Sequence, residues 1–238
     1  MKKTHASITA VGSYLPEEIL SNADLETMVD TTDEWISTRT GIKERRILKE
    51  GIGVSFMAIS AARSILENKN INPLEIDMVI VATITPDMHA TATAAYVASE
   101  IGANNAFGYD LSAACSGFLF GMSTASAFIE SGRYKKILLI GADKMSSIVD
   151  YTDRNTCIIF GDGAGAVLLE PNREGMGVQD EYLRTNGIGR DFLKIESGGS
   201  QMPTALETVK KKNISFIKTE RMFLNMLFQI WQMLLKKL

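Results

Sequence analysis

Cys115 has the most reactive setting of any side chain in this 238-residue sequence. It stands in Tyr109-Asp110-Leu111-Ser112-Ala113-Ala114-Cys115-Ser116-Gly117-Phe118, between a strand-like run and a helix-like run. A cysteine in the first turn of a helix faces unpaired backbone N–H groups and the positive end of the helix dipole, and both favour the thiolate. Ser112, Ala113, Ala114, Ser116 and Gly117 are small and leave a reactant room to reach the sulfur. This is the setting of a covalent nucleophile. A core cysteine is the competing reading, and the residues alone leave both open.

The remaining composition narrows the chemistry by exclusion. His5 and His89 are the only histidines, and Cys115 and Cys157 are the only cysteines. A histidine-rich metal cluster, a CxxC site and a disulfide framework are therefore not expected. No metal ligand is assigned. A net charge of −3 gives no electrostatic case for nucleic acid. Met1-Lys2-Lys3 could open a signal peptide, but His5, Ser7, Thr9 and Gly12 interrupt the run that follows. Free cysteines and no such leader lead to the expectation of a cytoplasmic protein.

Positioning Cys115 requires ordered elements on both sides, and the pattern supplies them. Ala6 to Val11 reads as a strand, with a turn over Gly12-Ser13-Tyr14-Leu15-Pro16. Short helices are predicted over Ser21 to Val29 and Thr32 to Thr38, the second capped by Thr32 and ended by Gly41. Met57, Ile59, Ala62, Ile65 and Leu66 give helical spacing across Ser55 to Asn68. Met78 to Ile84 is an apolar, β-branched run, as in a strand covered on both faces. A helix over Ala92 to Gly102, a strand over Phe107 to Leu111, a helix over Cys115 to Ser131 and a strand over Lys136 to Ile140 follow. This alternation predicts a layered α/β fold. The Cys115 helix is apolar around most of its circumference, so burial between sheets is expected.

Gly161-Asp162-Gly163-Ala164-Gly165 invites a nucleotide-binding reading. It precedes the strand-like Val167-Leu168-Leu169-Glu170 instead of following a strand and opening a helix, which speaks against that reading. Close backbone approach between packed strands is expected there. Lys210-Lys211-Lys212 reads as a solvated surface run.

Three stretches in this order resemble the β-ketoacyl-[acyl-carrier-protein] synthase III family. They are Thr31-Thr32-Asp33-Glu34-Trp35-Ile36-Ser37-Thr38-Arg39-Thr40-Gly41-Ile42, Leu111 to Gly117, and Asp153-Arg154-Asn155-Thr156 followed by Phe160 to Gly165. The resemblance runs from about Ile8 to Ser200. It implies a thiolase-like αβαβα layered fold, with the N-terminal half complete and the C-terminal half largely missing. It implies a cofactor-independent acyltransferase that condenses an acyl-CoA primer such as acetyl-CoA with malonyl-acyl carrier protein to begin fatty acid synthesis. A homodimer is implied as well. Cys115 matches the acyl-accepting nucleophile, and its backbone N–H one oxyanion donor. Trp35 and Arg154 match the pair that sandwiches the CoA adenine; Arg39 and Thr31 match residues that hold the CoA pyrophosphate and base. The plainer readings are a core anchor for Trp35 and a surface ion pair for Arg39. Cys157 matches a position of assorted small or apolar residues and reads as a core cysteine. His89 does not match the catalytic histidine. Ala90-Thr91 replace a Phe-Pro that helps shape the acyl pocket in many members, which leaves primer preference open.

The family uses a Cys-His-Asn triad, yet no histidine follows Cys115, and Asn213 and Asn225 lie in no matching motif. The expected organisation is an N-terminal half over 1–172, the start of a second half over 173–215, and an out-of-frame tail over 216–238. Reading the tail one base out of register supports this. Met222-Phe223 then forces Val and Trp231-Gln232 forces Ala, in a sequence compatible with the family's Gly-x-x-Val-Phe-Lys strand. A frameshift near Lys210 to Phe216 is therefore expected, leaving an apolar surface and poor solubility. The alternatives are a non-enzymatic remnant or interaction fragment and, among enzymes, a condensing enzyme of polyketide or branched-chain primer chemistry.

Overall fold

A computed structural model describes residues 4–215 and the backbone of 217–218. Apart from that backbone, the expected out-of-frame tail lies outside the described residues. In chain order the elements are β1 (His5–Tyr14), β2 (Glu18–Ser21), α1 (Asn22–Glu26), α2 (Asp33–Thr40), β3 (Glu44–Ile47), α3 (Val54–Lys69), β4 (Met78–Ala82), α4 (Thr93–Glu100), β5 (Phe107–Leu111), α5 (Gly117–Glu130), β6 (Ile137–Lys144), α6 (Arg154–Cys157), β7 (Asp162–Asn172), β8 (Leu193–Lys194), α7 (Leu206–Lys210) and β9 (Ile217–Lys218). They form two compact units. The first comprises residues up to Ile19, Arg46–Lys144 and Gly161–Leu183; the second comprises Leu20–Arg45, Met145–Phe160 and the chain from Arg184.

The first unit is built on a five-stranded sheet in the order β1-β7-β6-β4-β5. β4 pairs parallel with both β5 and β6, and β7 runs antiparallel to β6 and β1. All five residues of β4 are buried, as its unbroken apolar run requires. Its pleat divides the core. Val79 and Val81 join Leu138, Ile140 and the α3 residues Ala58, Ala62 and Ile65 on one face. Met78 and Ile80 join Ile137, Leu139 and the α5 residues Ala125 and Ile129 on the other.

Three sequence expectations change here. β1 continues through the expected turn to Tyr14, because Gly12 and Ser13 pair with Ala166 and Gly165 of β7. From Asp162 onward the glycine run belongs to β7 itself; a Cβ at Gly165 would have no atom within 4 Å, so close backbone approach does not account for that glycine, while one at Gly163 would lie 3.4 Å from Leu15 Cδ2 and 3.7 Å from the Tyr14 carbonyl oxygen. The helix after Cys115 buries one stripe only, Gly117, Gly121, Ala125, Ser126 and Ile129, while Leu119 is 58% exposed. Its apolar circumference meets the sheet on one side alone.

In the second unit, Leu25, Ile36, Cys157 and Ile158 form a small core with Trp35, Val149 and Tyr151 packed around it. α2 begins as expected: the Thr32 hydroxyl accepts the Trp35 N–H at 3.1 Å, and Gly41 closes the helix at φ 74°. Buried Arg45 ties this unit together. Its guanidinium donates to the Ile158 carbonyl and to Asn22 Oδ1, and the Asn22 amide donates in turn to Asp33 and Ser37 of α2.

The close contact between β1 and α3 gives a stability test. A Cβ on Gly12 would lie 2.3 Å from the Ala61 carbonyl oxygen and 2.4 Å from Ser64 Oγ. Gly12→Ala is expected to destabilise by about 1–3 kcal/mol in urea denaturation. Gly165→Ala should stay within about 0.5 kcal/mol. Equal midpoints for the two variants would reject this packing.

Candidate active site

Parallel pairing sends the carboxyl ends of β4, β5 and β6 to one edge of the sheet, where open α/β sheets place their ligand crevices. Cys115 lies beyond the end of β5, in a single 3₁₀ turn over Ala114–Ser116 that leads into α5 at Gly117. It thus precedes the α-helix proper, two residues earlier than its placement in the first turn predicts. Ala114 adopts φ 46°, a left-handed conformation that a side chain disfavours by roughly 1–2 kcal/mol. This sharp bend leaves Cys115 exposed at the tip. The Cys115 N–H has no acceptor among the described residues, so it is free to donate to a developing oxyanion.

A cavity of about 260 Å³ opens beside the sulfur. Its walls come from Ala82 at the end of β4, Phe118 of α5, Gly141 to Asp143 of β6, and Gly161 and Gly163 at the β7 end. The glycines leave this space unfilled. Asp143 is held tightly: its Oδ1 accepts from Thr83 Oγ1 at 3.0 Å, Ile84 N at 2.8 Å and Thr85 Oγ1 at 3.0 Å. Thr83 N donates to the Leu111 carbonyl at 3.2 Å, which connects this turn to the strand that carries Cys115. Sequence reading missed Asp143. The available signal was a carboxylate at the end of the apolar run Ile137 to Ala142.

The second unit gathers three of the other expected residues. The Arg39 and Arg154 guanidinium carbons lie 4.5 and 4.7 Å from the Trp35 ring centroid. Trp35 is half-buried against the small core, so the anchor reading holds for part of its surface while the ring also carries two cations. Arg39 makes no ion pair among the described residues, whereas Arg154 reaches Asp30 at 3.6 Å. The Oγ1 of Thr31 is buried and has no hydrogen-bond partner among the described residues. Among the described residues no hydrogen bond joins the Thr31 hydroxyl to the Trp35 cluster.

Cys157 is fully buried, as a core cysteine should be. Burial pushes its thiol above the ordinary range, with Asp153 adding to the rise and Arg45 opposing it. Among the described residues no group of three or more His, Cys, Asp or Glu side chains is placed to hold a metal. No described helix is long and apolar enough to cross a membrane.

Comparison with known proteins follows the same residues. The family model for 3-oxoacyl-[acyl-carrier-protein] synthase III matches residues 109–187, which include Cys115 and Arg154. β-Ketoacyl-[acyl-carrier-protein] synthase III 2 of Bacteroides thetaiotaomicron is 54% identical over 213 residues, 89% of this chain and 64% of that protein. The Chlorobaculum tepidum synthase III is 54% identical over 218 residues, 90% of this chain and 66% of that one. Among solved structures, the synthase III of Aquifex aeolicus VF5 matches with a TM-score of 0.78 at 40% identity, covering 86% of this chain and 65% of its own. The priming β-ketosynthase of the R1128 polyketide pathway matches with a TM-score of 0.81 at 33% identity, covering 91% and 64%. The chain thus spans about 64% of the length of the curated relatives it matches.

The buried thiol gives a pH test with a definite sign. A folded-state pKa above the unfolded one stabilises fully below the ordinary thiol range and less as pH rises through it. The stability advantage over Cys157→Ala should therefore be constant near pH 7 and shrink towards pH 10 in urea titrations. A difference that is flat or grows with pH would contradict the burial of this thiol.

Proposed function

Since this chain belongs to the β-ketoacyl-[acyl-carrier-protein] synthase III family, we propose that Cys115 accepts an acyl group from an acyl-CoA, acetyl-CoA foremost, for condensation with malonyl-acyl carrier protein. The observation that carries this reading is the exposed Cys115, at the bend before α5, over a cavity of about 260 Å³. In loading, the sulfur bonds to the thioester carbonyl carbon, the carbon–sulfur bond to CoA breaks, and CoA leaves as a thiolate that takes up a proton. The Cys115 N–H donates to the carbonyl oxygen as it gains negative charge. Trp35, Arg39 and Arg154 offer a flat ring and two guanidinium groups to the adenine and phosphates of CoA, and the unpartnered Thr31 hydroxyl is a further polar group for that ligand.

Condensation is a separate step. Malonyl-acyl carrier protein loses carbon dioxide, the released electron pair bonds to the acyl-cysteine carbonyl carbon, and the cysteine sulfur departs. The family assigns a histidine and an asparagine to this step; no histidine follows Cys115 in this sequence, and Asn213 and Asn225 lie in no matching motif. We therefore propose acyl loading as the step that residues 1–172 support. Residues 173–215 are read as the start of the second half and 216–238 as an out-of-frame tail. The intact relative is read as a cytoplasmic homodimer without a cofactor.

Intact mass measurement after incubation with acetyl-CoA should show one acetyl adduct, absent in Cys115→Ser. No adduct on a folded sample would favour the non-enzymatic remnant. Independently, Trp35→Ala should weaken CoA binding on the order of tenfold, from the stacking energy of one base. Unchanged affinity by calorimetry would remove Trp35 from the CoA site.

A further inference from the structure

We propose that Asp143 is a specificity-determining residue that keeps negatively charged acyl groups off Cys115. The proposal rests on reading Cys115 as an acyl acceptor and goes on to say which acyl groups its cavity admits.

Strand geometry places the carboxylate. Along β6, side chains alternate between faces, so Gly141 and Asp143 share one and Ala142 takes the other. Ala142 packs into the core on the α3 side, while a Cβ at Gly141 would sit 3.4 Å from Phe118 of α5. Asp143 therefore lies on the α5 face, at the end of the sheet where Cys115 stands. Its neighbour across the antiparallel ladder is Gly163, which contributes no side chain to cover it. Asp143, Gly163 and Cys115 line the same cavity.

Hydrogen bonding fixes which oxygen faces a ligand. Three donors converge on Oδ1, from Thr83, Ile84 and Thr85, and both threonines are buried. They prevent the carboxylate from swinging away. Oδ2 has no partner among the described residues. Of the described residues lining the cavity, Asp143 and Cys115 are the only ionisable ones, so no cation there compensates a second negative charge. A carboxylate-bearing acyl group would lose water on entering and meet a like charge. A neutral acyl chain meets neither penalty. Asp143 makes no bond and moves no proton in this scheme: the Cys115 sulfur still bonds to the carbonyl carbon while the carbon–sulfur bond to CoA breaks. A condensing enzyme that handles both a primer and a malonyl unit needs this discrimination, since malonyl on the nucleophile would block the primer.

The test compares butyryl-CoA with malonyl-CoA, which share the CoA moiety and differ little in acyl length. Adduct formation on the purified chain is followed by intact mass, with Cys115→Ser as the blank. A malonyl adduct and the acetyl adduct left by its decarboxylation are counted together. Butyryl loading is expected to exceed malonyl loading by on the order of tenfold or more. Asp143→Asn retains a carbonyl oxygen for the three donors and replaces only the free oxygen by NH₂, so the ratio should fall severalfold. A second variant, Thr83→Val/Thr85→Val, releases the carboxylate from two of its anchors and should lower the ratio too. Equal loading of both thioesters by the parent chain overturns the role of Asp143 and leaves the acyl-acceptor reading intact. So does a ratio unchanged in whichever variant folds. No adduct from either thioester on a folded parent chain overturns the acyl-acceptor reading and this one with it.

Discussion

Parallel pairing of β4 with β5 and β6 is the constraint on which the chemistry of the first unit depends. It brings three strand ends to one edge of the sheet, so Ala82, Cys115 and Asp143 converge although they are far apart in sequence. β4 is buried on both faces, and each face has its own cluster of side chains. The rigidity of that packing lets a single turn of backbone hold Cys115 at a fixed place. A loop hung on a looser sheet would not present a sulfur and a free N–H together.

The second unit solves a positioning problem by a different means. It has little apolar core, and much of its order comes from one buried arginine. Arg45 joins the carbonyl of Ile158, just after α6, to Asn22, which in turn fastens the first two turns of α2. Trp35 stands on α2 and Arg154 on α6, so the same guanidinium supports both sides of the cation–indole stack. Removing it would leave buried acceptors without donors, a larger loss than that of a surface pair.

Much of this was legible in the sequence because it depends on local rules. Thr32 and Gly41 mark the ends of α2, the apolar run marks β4, and helical spacing marks α3. The layered α/β fold followed from that alternation, and the family from three ordered motifs. What was not legible depends on partners distant in sequence. Tyr14 looked like part of a turn because its pairing partner, Ala164, lies 150 residues on. Asp143 escaped notice because its donors, Thr83, Ile84 and Thr85, sit on another strand's exit. The α5 helix looked buried all round because periodicity records apolar surface and not what covers it; the sheet covers one stripe and Leu119 stays exposed.

The departures from local rules are themselves informative, because several fall around one cavity. Ala114 holds a left-handed φ that glycine would adopt without strain. A glycine there would relax the bend but would also free the backbone beside Cys115. Glycines interrupt the β6 and β7 faces where a strand would otherwise carry packing side chains. A carboxylate stands next to last in an otherwise largely apolar strand. Each feature weakens the fold locally, and scattered over the surface they would be separate faults. Around Cys115 they combine into an open, weakly filled space with one anchored carboxylate and one exposed sulfur. A sheet packed as tightly as this one can sustain those local losses, and the cavity they create leaves the cysteine open on one side.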